Sequence, residues 1–380
     1  MIETQNRHPD RFRVEPEVEH GFGPAPAPGT ARYPEATGHD LMRDDASTPL
    51  AIETDEQLRA LQRSREIRHL PRPDSPRVIV VANQKGGVGK TTTTVNVAAA
   101  LAQHGLRILV IDLDPQGNAS TALRVDHTEG TPGTYDALVD ARRLRELVQP
   151  CPDVDGLIVV PATIDLAGAE IELVSLVARE SRLRRVVNEY LDEVQDTPDR
   201  VDYILIDCPP SLGLLTVNAL VAGREMLIPI QCEYYALEGL GQLLRNVELI
   251  QSHLNPDLDI ATIMLTMHDA RTRLSAGVAD EVRSHFGGKV LNTAVPRSVR
   301  ISEAPSYQQT VMTYDPTSPG ALSYLEAARE LASRPIPKAP TTTAAPPDMH
   351  GAHRRDAANS STPSGVSTDD APTDQSGESS

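Results

Sequence analysis

The sequence at residues 83–92, Asn-Gln-Lys-Gly-Gly-Val-Gly-Lys-Thr-Thr, restricts the fold of this chain more than any other feature. An apolar segment typical of a strand precedes it, at 78–82, and a segment typical of a helix follows it, at 93–102. Between a strand and a helix, a glycine-rich turn allows backbone N–H groups and the positive end of the helix to surround a phosphate. We therefore predict that the chain binds a nucleoside triphosphate at this turn.

Two lysines give this turn its particular chemistry. Lys90 is placed to reach the β- and γ-phosphates, and the hydroxyl of Thr91 is a ligand for Mg²⁺. The motif departs from the usual P-loop pattern, because Gln84 stands six residues before Lys90, where glycine is expected. A second lysine, Lys85, stands directly before the glycines. Taken alone, the motif leaves one other interpretation, a flexible glycine turn that binds nothing.

The composition separates a central region from two polar ends. The centre of this 380-residue chain is rich in Val, Ile, Leu and Ala, whereas residues 1–75 and 335–380 are rich in Pro, Ser, Thr, Gly and Asp. Such segments bury too little apolar surface to fold. We therefore predict an ordered domain at 76–334, between a largely disordered arm at 1–75 and a disordered tail at 335–380. Within the arm, the sequence at 54–70 fits either a helix with Thr54 as its N-cap that docks on the domain or on a partner, or a marginal helix that frays in solution.

The charge and the aromatic content exclude some functions. The net charge is −17, of which the two ends account for −4 and −3, so the centre is itself acidic. This argues against a protein coated in basic surface, but it allows a local basic patch that contacts a phosphate backbone. Aromatic residues make up 3% of the chain and tryptophan is absent, which argues against binding single-stranded nucleic acid by base stacking.

The cysteines and the hydropathy pattern indicate a reducing compartment. Cys151, Cys208 and Cys232 are far apart without metal-binding spacing, and the last two adjoin apolar runs, where buried thiols are expected. No N-terminal segment resembles a signal peptide, and no run approaches the ~20 apolar residues of a membrane span. We therefore expect a cytoplasmic protein that does not bind membranes.

Apolar runs alternate with helix-length segments between residues 77 and 333. The runs are nearly continuous, as expected for parallel strands that are covered on both faces. Strands are predicted at 77–82, 107–113, 157–161, 203–207, 225–229, 259–267 and 289–295, and helices at 91–103, 167–180, 182–192, 212–222, 237–254, 276–286 and 319–331. This alternation predicts an α/β fold with a doubly wound, mostly parallel sheet and helices on both faces, as in P-loop NTPases.

Two aspartates follow predicted strands, at the edge where an open parallel sheet binds its ligand. Asp114 lies in a Pro/Gly turn after the strand at 107–113, and Asp207 ends the strand at 203–207. Phosphoryl transfer needs a metal ion near the phosphates and a water molecule in line with the γ-phosphorus. An aspartate after an apolar run is usually a cap or a turn residue, but beside the phosphate-binding turn we predict functional roles for both.

These motifs together resemble those of ParA/Soj-type chromosome-partitioning ATPases, which belong to the deviant Walker A P-loop family (the MinD/ParA superfamily). The resemblance extends over residues 78–332, roughly two-thirds of the chain. It is carried by residues 83–92, by 112–119 (Asp-Leu-Asp-Pro-Gln-Gly-Asn-Ala), by 206–211 (Ile-Asp-Cys-Pro-Pro-Ser), by 229–239 (Pro-Ile-Gln-Cys-Glu-Tyr-Tyr-Ala-Leu-Glu-Gly) and by 295–306 (Val-Pro-Arg-Ser-Val-Arg-Ile-Ser-Glu-Ala-Pro-Ser).

The resemblance implies that ATP and Mg²⁺ bind at the glycine-rich turn. The implied phosphate-binding residues are Gly86, Gly87, Val88, Gly89, Lys90, Thr91 and Thr92, of which Thr92 contacts the α-phosphate. Thr91 and Asp207 are the implied Mg²⁺ residues, Asp207 through a water molecule, and Asp114 would position the attacking water. We expect Pro296 and Arg297 to lie near the adenine.

Lys85 matches the signature lysine of that family, which reaches across a two-fold dimer to the nucleotide of the other subunit. The resemblance therefore implies an ATP-dependent sandwich homodimer that hydrolysis releases, with Lys85, Lys90 and Asp114 as catalytic residues. Arg271 and Arg300 match positions that contact duplex DNA without sequence preference, although isolated arginines are more often solvated or paired with nearby acids. The implied partner is a ParB-type centromere-binding protein that stimulates slow hydrolysis, and the implied location is the nucleoid.

Other functions remain as alternatives. A MinD-like regulator of division-site placement shares the nucleotide site but closes with an amphipathic membrane helix, and the acidic tail of this chain has no apolar face to bury in lipid. An electron-transfer ATPase needs paired cysteine ligands for an iron–sulfur cluster, and a tyrosine-kinase relative would end in a tyrosine-rich tail. A sequence-specific repressor would need a compact helix-turn-helix, which the proline-rich arm does not suggest.

Overall fold

A mixed sheet of eight strands forms the centre of the part of the chain that the structure describes. The computed structural model describes residues 69–233 and 236–336, with the backbone alone at 236–238. The strands are β1 (Arg77–Val81), β2 (Ile108–Asp112), β3 (Gln149–Pro150), β4 (Leu157–Val160), β5 (Tyr203–Asp207), β6 (Glu225–Gln231), β7 (Asp259–His268) and β8 (Val290–Pro296). They lie in the order β3-β4-β2-β5-β1-β6-β7-β8. Neighbouring strands are parallel, except that β3 pairs with β4 in the antiparallel sense.

Helices cover both faces of this sheet. Their bounds are α1 (Lys90–Gln103), α2 (Asn118–Ala122), α3 (Thr134–Leu138), α4 (Leu166–Leu173), α5 (Arg182–Val194), α6 (Leu214–Ala222), α7 (Ala236–His253), α8 (Arg273–Phe286), α9 (Val299–Glu303), α10 (Val311–Tyr314) and α11 (Pro319–Ser333). Alternate residues of the central strand β1 enter opposite cores. Val78 and Val80 pack in the core that includes α4, α5 and α6, whereas Ile79 and Val81 pack in the core that includes α1 and α11. The predicted α/β class, with helices on both faces, is therefore confirmed.

The strand order places a crevice where nucleotides bind in such sheets. The chain leaves β1, passes through α1 and returns as β2, but β5 lies between β1 and β2 in the sheet. In the register of these strands, Asp207 of β5 lies beside Val81 on one side and Asp112 on the other. The loops that follow β1, β2 and β5 therefore meet at one edge of the sheet, which is the usual ligand position in a doubly wound fold.

Some predicted elements differ from the structure. The predicted helix at 167–180 ends at Leu173, because turns follow and Ala178 adopts a positive φ of 53°, which a right-handed helix excludes. The short helices α2, α3, α9 and α10 and the two-residue strand β3 were not predicted. Elements of two to five residues are too short to show a hydrophobic period, so the sequence carries no signal for them.

The predicted helix at 54–70 lies outside the described residues, apart from His69 and Leu70, which have no regular secondary structure. Leu70 donates a backbone hydrogen bond to the carbonyl of His104, 3.1 Å away, and packs against the core beside α1. All three cysteines are buried and free, as predicted for Cys208 and Cys232. None of the described helices is both long enough and apolar enough to span a membrane.

Candidate functional site

The loop at 83–89 joins β1 to α1 in the conformation that its glycines permit. Gly87 and Gly89 have φ values of 73° and 90°, which side chains with a Cβ rarely adopt. Two neighbouring strands hold the loop from below: Asn83 donates its amide to the carbonyl of Pro229 at 2.8 Å, and Thr266 donates its hydroxyl to the carbonyl of Val88 at 2.8 Å. The loop is thus fixed to β6 and β7, and it ends at the N-terminus of the 14-residue helix α1.

Lys90 is the first residue of α1 and is almost completely buried. Its ammonium group makes one long hydrogen bond, 3.4 Å, to the carbonyl of Lys85. Burial lowers the pKa of Lys90, while the nearby charges of Asp207 and Asp114 act in the opposite direction. A desolvated ammonium group that is short of hydrogen-bond acceptors is well suited to an incoming phosphate.

Asp207 ends β5 directly below the first turn of α1. Its Oδ1 accepts a hydrogen bond from the hydroxyl of Thr94 at 2.8 Å, whereas its Oδ2 is buried and makes no hydrogen bond of normal geometry with the described residues. The pKa of Asp207 is raised to about 8, mainly because the group is buried and secondly because of the negative charge of Asp112. Hydrogen bonds from the hydroxyls of Thr91 and Thr94 oppose this rise. A buried carboxylate oxygen without a partner is costly unless a cation or a proton satisfies it.

The two aspartates at the end of β2 have different surroundings. Asp112 is fully buried and accepts hydrogen bonds from the amide and hydroxyl of Ser120, at 2.9 and 2.7 Å, and from the amide of Asp114, at 3.2 Å. Burial raises the pKa of Asp112 to about 6. Asp114 lies in the turn beyond, where its Oδ1 accepts one hydrogen bond from the amide of Gln116 at 3.0 Å. Asp112 therefore fixes the turn, and Asp114 is free for other interactions.

Two cavities adjoin the N-terminus of α1. Thr91 and Thr92 line a cavity of about 260 Å³ whose other wall includes Asn118 and Gln309. Thr92 and Gly89 also line a cavity of about 180 Å³ together with Pro296 and Arg297. The structure thus brings the predicted phosphate residues and the predicted adenine residues to neighbouring cavities, while the roles assigned to them stay predictions.

Lys85 points to an acid of its own subunit. Its ammonium group lies 3.3 Å from Oε2 of Glu233, in the loop after β6. The guanidinium group of Arg297 lies 3.6 Å from the other oxygen of the same carboxylate. Glu233 therefore joins the loop at 83–89 to the loop after β8, which lines the cavity of about 180 Å³.

The two arginines that were predicted to contact DNA are both paired with neighbouring acids. Arg271 is 89% exposed and forms two hydrogen bonds with Asp269, at 2.9 and 3.0 Å, which lower the pKa of Asp269 to about 2. Arg300 lies 3.3 Å from Glu303 and 3.4 Å from Asp315. These contacts match the alternative interpretation of isolated arginines, and DNA contact stays a prediction.

Sequence reasoning missed four residues of this site. Thr94 and Asp112 were not assigned roles, although Thr94 lies one helical turn after Lys90 and Asp112 ends an apolar run. Glu233 and Met267 were also missed; Met267 lines the cavity of about 180 Å³ in a backbone conformation with a φ of 51°. Thr94 and Asp112 could have been found from their positions, one turn after Lys90 and at the end of an apolar run. Glu233 and Met267 could not, because contacts between loops that are distant along the chain leave no sequence pattern.

A metal ion at this site would need ligands from the phosphates of the substrate as well as from the protein. Among the described residues, no group of three or more histidine, cysteine, aspartate or glutamate side chains is arranged to hold a metal ion. Mg²⁺ is commonly held by one or two carboxylates together with substrate phosphates and water. The unpaired oxygen of Asp207 beside Thr91 fits this kind of site.

Comparisons with known proteins find similar sequences over about two-thirds of this chain. Residues 76–260 match the family model of an AAA domain. The sporulation initiation inhibitor protein Soj of Bacillus subtilis is 51% identical over 257 residues, which cover 68% of this chain and 98% of that protein. The chromosome partitioning protein ParA of Myxococcus xanthus is 49% identical over 264 residues, covering 70% of this chain and 90% of that protein.

Solved structures show the same fold. A protein of Mycobacterium smegmatis described as cobyrinic acid a,c-diamide synthase, solved with ADP and magnesium, is 36% identical, with a TM-score of 0.57 and coverage of 69% of this chain and 98% of that one. The septum site-determining protein MinD of Pyrococcus horikoshii, in complex with Mg-ADP, is 24% identical, with a TM-score of 0.54 and coverage of 67% and 96%. At that identity, the likeness to MinD concerns the fold alone.

Proposed function

Because this chain belongs to the ParA/Soj family of chromosome-partitioning ATPases, we propose that it is an ATP-dependent dimer switch for DNA segregation. In this proposal, the protein binds ATP and Mg²⁺, forms a sandwich dimer and binds duplex DNA without sequence preference. Hydrolysis of ATP then separates the two subunits and releases the DNA. The observation that carries the proposal is the meeting of Lys90, Asp114 and Asp207 at one edge of the sheet, around a glycine-rich loop.

ATP is the proposed substrate. The relative from Mycobacterium smegmatis was solved with ADP and with an ATP analogue, each with magnesium, at 36% identity to this chain. Lys90 and the backbone of the loop at 86–91 would hold the β- and γ-phosphates, because the loop presents N–H groups at a helix N-terminus. Thr92 would contact the α-phosphate, and Pro296 and Arg297 would enclose the adenine in the adjoining cavity.

Thr91 and Asp207 would hold Mg²⁺, Asp207 through a water molecule. The support is the buried Oδ2 of Asp207, which has no hydrogen-bond partner of normal geometry among residues 69–233 and 236–336, and the hydroxyl of Thr91 beside this carboxylate. When bound, the metal ion neutralises charge on the phosphate oxygens. Thr94 keeps the carboxylate of Asp207 in one orientation through its hydrogen bond at 2.8 Å.

Asp114 is proposed to orient the attacking water. Its backbone is fixed by Asp112, while its own carboxylate accepts only one hydrogen bond that is resolved among the described residues. The other acceptor positions of this carboxylate are therefore available for a water molecule in line with the γ-phosphorus. Turnover would be slow, and contact with a ParB-type centromere-binding protein would stimulate it.

Lys85 is proposed to act in the other subunit of the dimer. Two triphosphates that face each other across a two-fold axis repel, and a lysine donated by each subunit to the opposite nucleotide would offset that repulsion. ATP would thereby favour the dimer, and hydrolysis would remove the preference. Dimerisation would also double any basic patch, so that Arg271 and Arg300 would contact DNA mainly in the ATP state, on the nucleoid in the cytoplasm.

Sedimentation velocity tests this function with the wild-type protein and the Asp114→Ala variant, each with and without ATP–Mg²⁺ and duplex DNA. We expect the variant to form a stable dimer with ATP–Mg²⁺ and to sediment with DNA, and the ADP-bound protein to remain a single subunit. A variant that stays a single subunit under saturating ATP–Mg²⁺ would exclude the proposed switch. DNA binding that is insensitive to both salt and ATP would exclude the patch model.

A further inference from the structure

Glu233 lies between two cations that belong to different parts of the nucleotide site. Its carboxylate is 3.3 Å from the ammonium group of Lys85 and 3.6 Å from the guanidinium group of Arg297. The side-chain amide of Gln231, the last residue of β6, donates a hydrogen bond to the same carboxylate. The acid is therefore held at the end of β6 and faces both the phosphate-binding loop and the loop after β8.

These contacts restrain Lys85 within its own subunit. Its backbone amide is bound to the side chain of Asn83 at 3.1 Å, and its ammonium group is bound to Glu233. The carbonyl of Lys85 accepts the long hydrogen bond from Lys90. Lys85 is consequently anchored at three points in the single subunit, and only the contact with Glu233 involves the group that carries its charge.

We propose that Glu233 is a positioning residue that retains the ammonium group of Lys85 in the single subunit, so that forming the dimer requires Lys85 to leave Glu233. This inference rests on the proposed function, in which Lys85 acts on the nucleotide of the other subunit. Because the lysine cannot contact its own Glu233 and a distant phosphate at once, the ion pair opposes dimerisation. The same carboxylate also binds Arg297, so departure of Lys85 leaves Glu233 with a remaining cationic partner.

The size of the effect follows from the exposure of the pair. The side chains of Lys85 and Glu233 are 35% and 46% exposed, and ion pairs with such exposure change an equilibrium constant by about two- to fivefold. Glu233 would thus set the protein concentration at which ATP–Mg²⁺ produces dimers, without deciding whether dimers form. Salt would weaken this restraint, because partly exposed pairs are screened.

The first test measures Lys85 in the absence of any dimer. Nucleotide-free wild-type protein and the variant Glu233→Gln are labelled with a limiting amount of an amine-reactive ester, and mass spectrometry gives the rate at Lys85. The variant is expected to label Lys85 about two- to fivefold faster, because the amine loses its acidic partner. The matched control is Asp259→Asn, which removes the acid 3.1 Å from Lys289 in a pair of similar exposure and should leave Lys85 unchanged. An equal rate at Lys85 in wild type and Glu233→Gln would overturn the proposal.

The second test measures dimerisation with hydrolysis blocked. In an Asp114→Ala background with saturating ATP–Mg²⁺, adding Glu233→Gln should lower the protein concentration at half-dimerisation about two- to fivefold, and adding Asp259→Asn should not. Glu233→Asp, which keeps the charge, should restore most of the wild-type midpoint. An unchanged or higher midpoint with Glu233→Gln would refute the restraint, even when Lys85 is labelled faster. If no protein dimerises at all, the proposed function fails, while the labelling result still decides whether Glu233 restrains Lys85.

Discussion

Two aspartates at and after the end of β2, Asp112 and Asp114, differ in their roles: the first is structural, and the second is proposed to take part in hydrolysis. The carboxylate of Asp112 accepts three hydrogen bonds and is completely buried, whereas the carboxylate of Asp114, two residues further on, accepts one that is resolved among the described residues. The same residue type therefore serves as an anchor at one position and as a candidate reactive group at the next. The turn after β2 is the reason that a role was predicted for Asp114, and this role stays a prediction. No sequence pattern indicates that Asp112 binds Ser120, because the helix of Ser120 is too short to be predicted.

This division predicts opposite results for two alanine variants. Asp114→Ala should retain ATP binding and dimerisation but lower the rate of hydrolysis about 100-fold or more, because the attacking water loses its acceptor. Asp112→Ala should instead lower the free energy of unfolding by about 1–3 kcal/mol, because the buried donors of Ser120 lose their acceptor. Hydrolysis assays and urea denaturation would separate the two effects. A folded Asp114→Ala protein with wild-type turnover would remove Asp114 from the mechanism.

Lys90 provides a second prediction at the residue scale. Lys90→Ala should weaken ATP binding at least about 100-fold, because the charge-assisted hydrogen bonds from a buried ammonium group to phosphates are lost. The variant should fold normally, since in the described residues the ammonium group makes only one long hydrogen bond. Calorimetric titration with a non-hydrolysable ATP analogue measures the loss, with Lys289→Ala as a control whose lysine pairs with Asp259 at the surface. Tight binding by Lys90→Ala would contradict the assignment of the loop.

At the scale of elements, the sequence predicted the long ones, and one helix begins three residues before its predicted start. The seven predicted strands correspond to β1, β2 and β4–β8, because each is a largely apolar segment of four or more residues. Helix α8 begins at Arg273 rather than at the predicted residue 276, since Thr272 is its N-cap and accepts a hydrogen bond from the amide of Ser275. The motif loops were placed correctly at strand ends, but the contacts between loops, such as Lys85 with Glu233, depend on strand order and have no sequence signal.

The loop between β7 and α8 carries the prediction on DNA. Arg271→Glu should weaken binding to duplex DNA and reduce the slope of affinity against salt by about 1 or more, because a phosphate contact is replaced by a repulsion. Asp269→Asn should act in the opposite direction, since it removes the negative charge beside Arg271 and one of the two oxygens that accept its hydrogen bonds.

Fluorescence anisotropy with labelled duplex DNA at several salt concentrations measures both variants. Arg143→Glu is the control, because Arg143 is likewise an exposed arginine that pairs with a nearby acid, Glu146, and was not predicted to bind DNA. The nucleotide affinity of the free protein should not change in any of the three variants. If Arg271→Glu and Arg143→Glu weaken DNA binding equally, the loop has no special role and only the net charge matters.

The described part of the chain is built around a sheet that is buried on both faces, and this burial was predictable from the sequence. Strands of nearly continuous apolar residues indicated two covering layers, and alternate residues of β1 indeed enter separate cores. The exception within β1 is its first residue, Arg77, which is charged and only 3% exposed. Nothing in the sequence indicated its partner, because Glu225 is far along the chain and becomes adjacent only through the pairing of β1 with β6.

Arg77 joins the sheet to the last helix and should therefore contribute strongly to stability. It binds Glu225 through two hydrogen bonds, at 2.7 and 2.5 Å, and donates to the carbonyl of Leu331 in α11 at 3.0 Å. Arg77→Ala should lower the free energy of unfolding by about 3–5 kcal/mol, because it leaves a buried carboxylate without its partner. Arg143→Ala, which breaks an exposed pair, should cost less than about 1 kcal/mol.

Urea denaturation followed by far-ultraviolet circular dichroism suits this protein, since tryptophan is absent. Equal losses in the two variants would mean that the buried pair does not hold α11 to the sheet, whereas recovery of stability in an Arg77→Met, Glu225→Leu double variant would show that the unpaired charge, rather than the lost contacts, causes the defect.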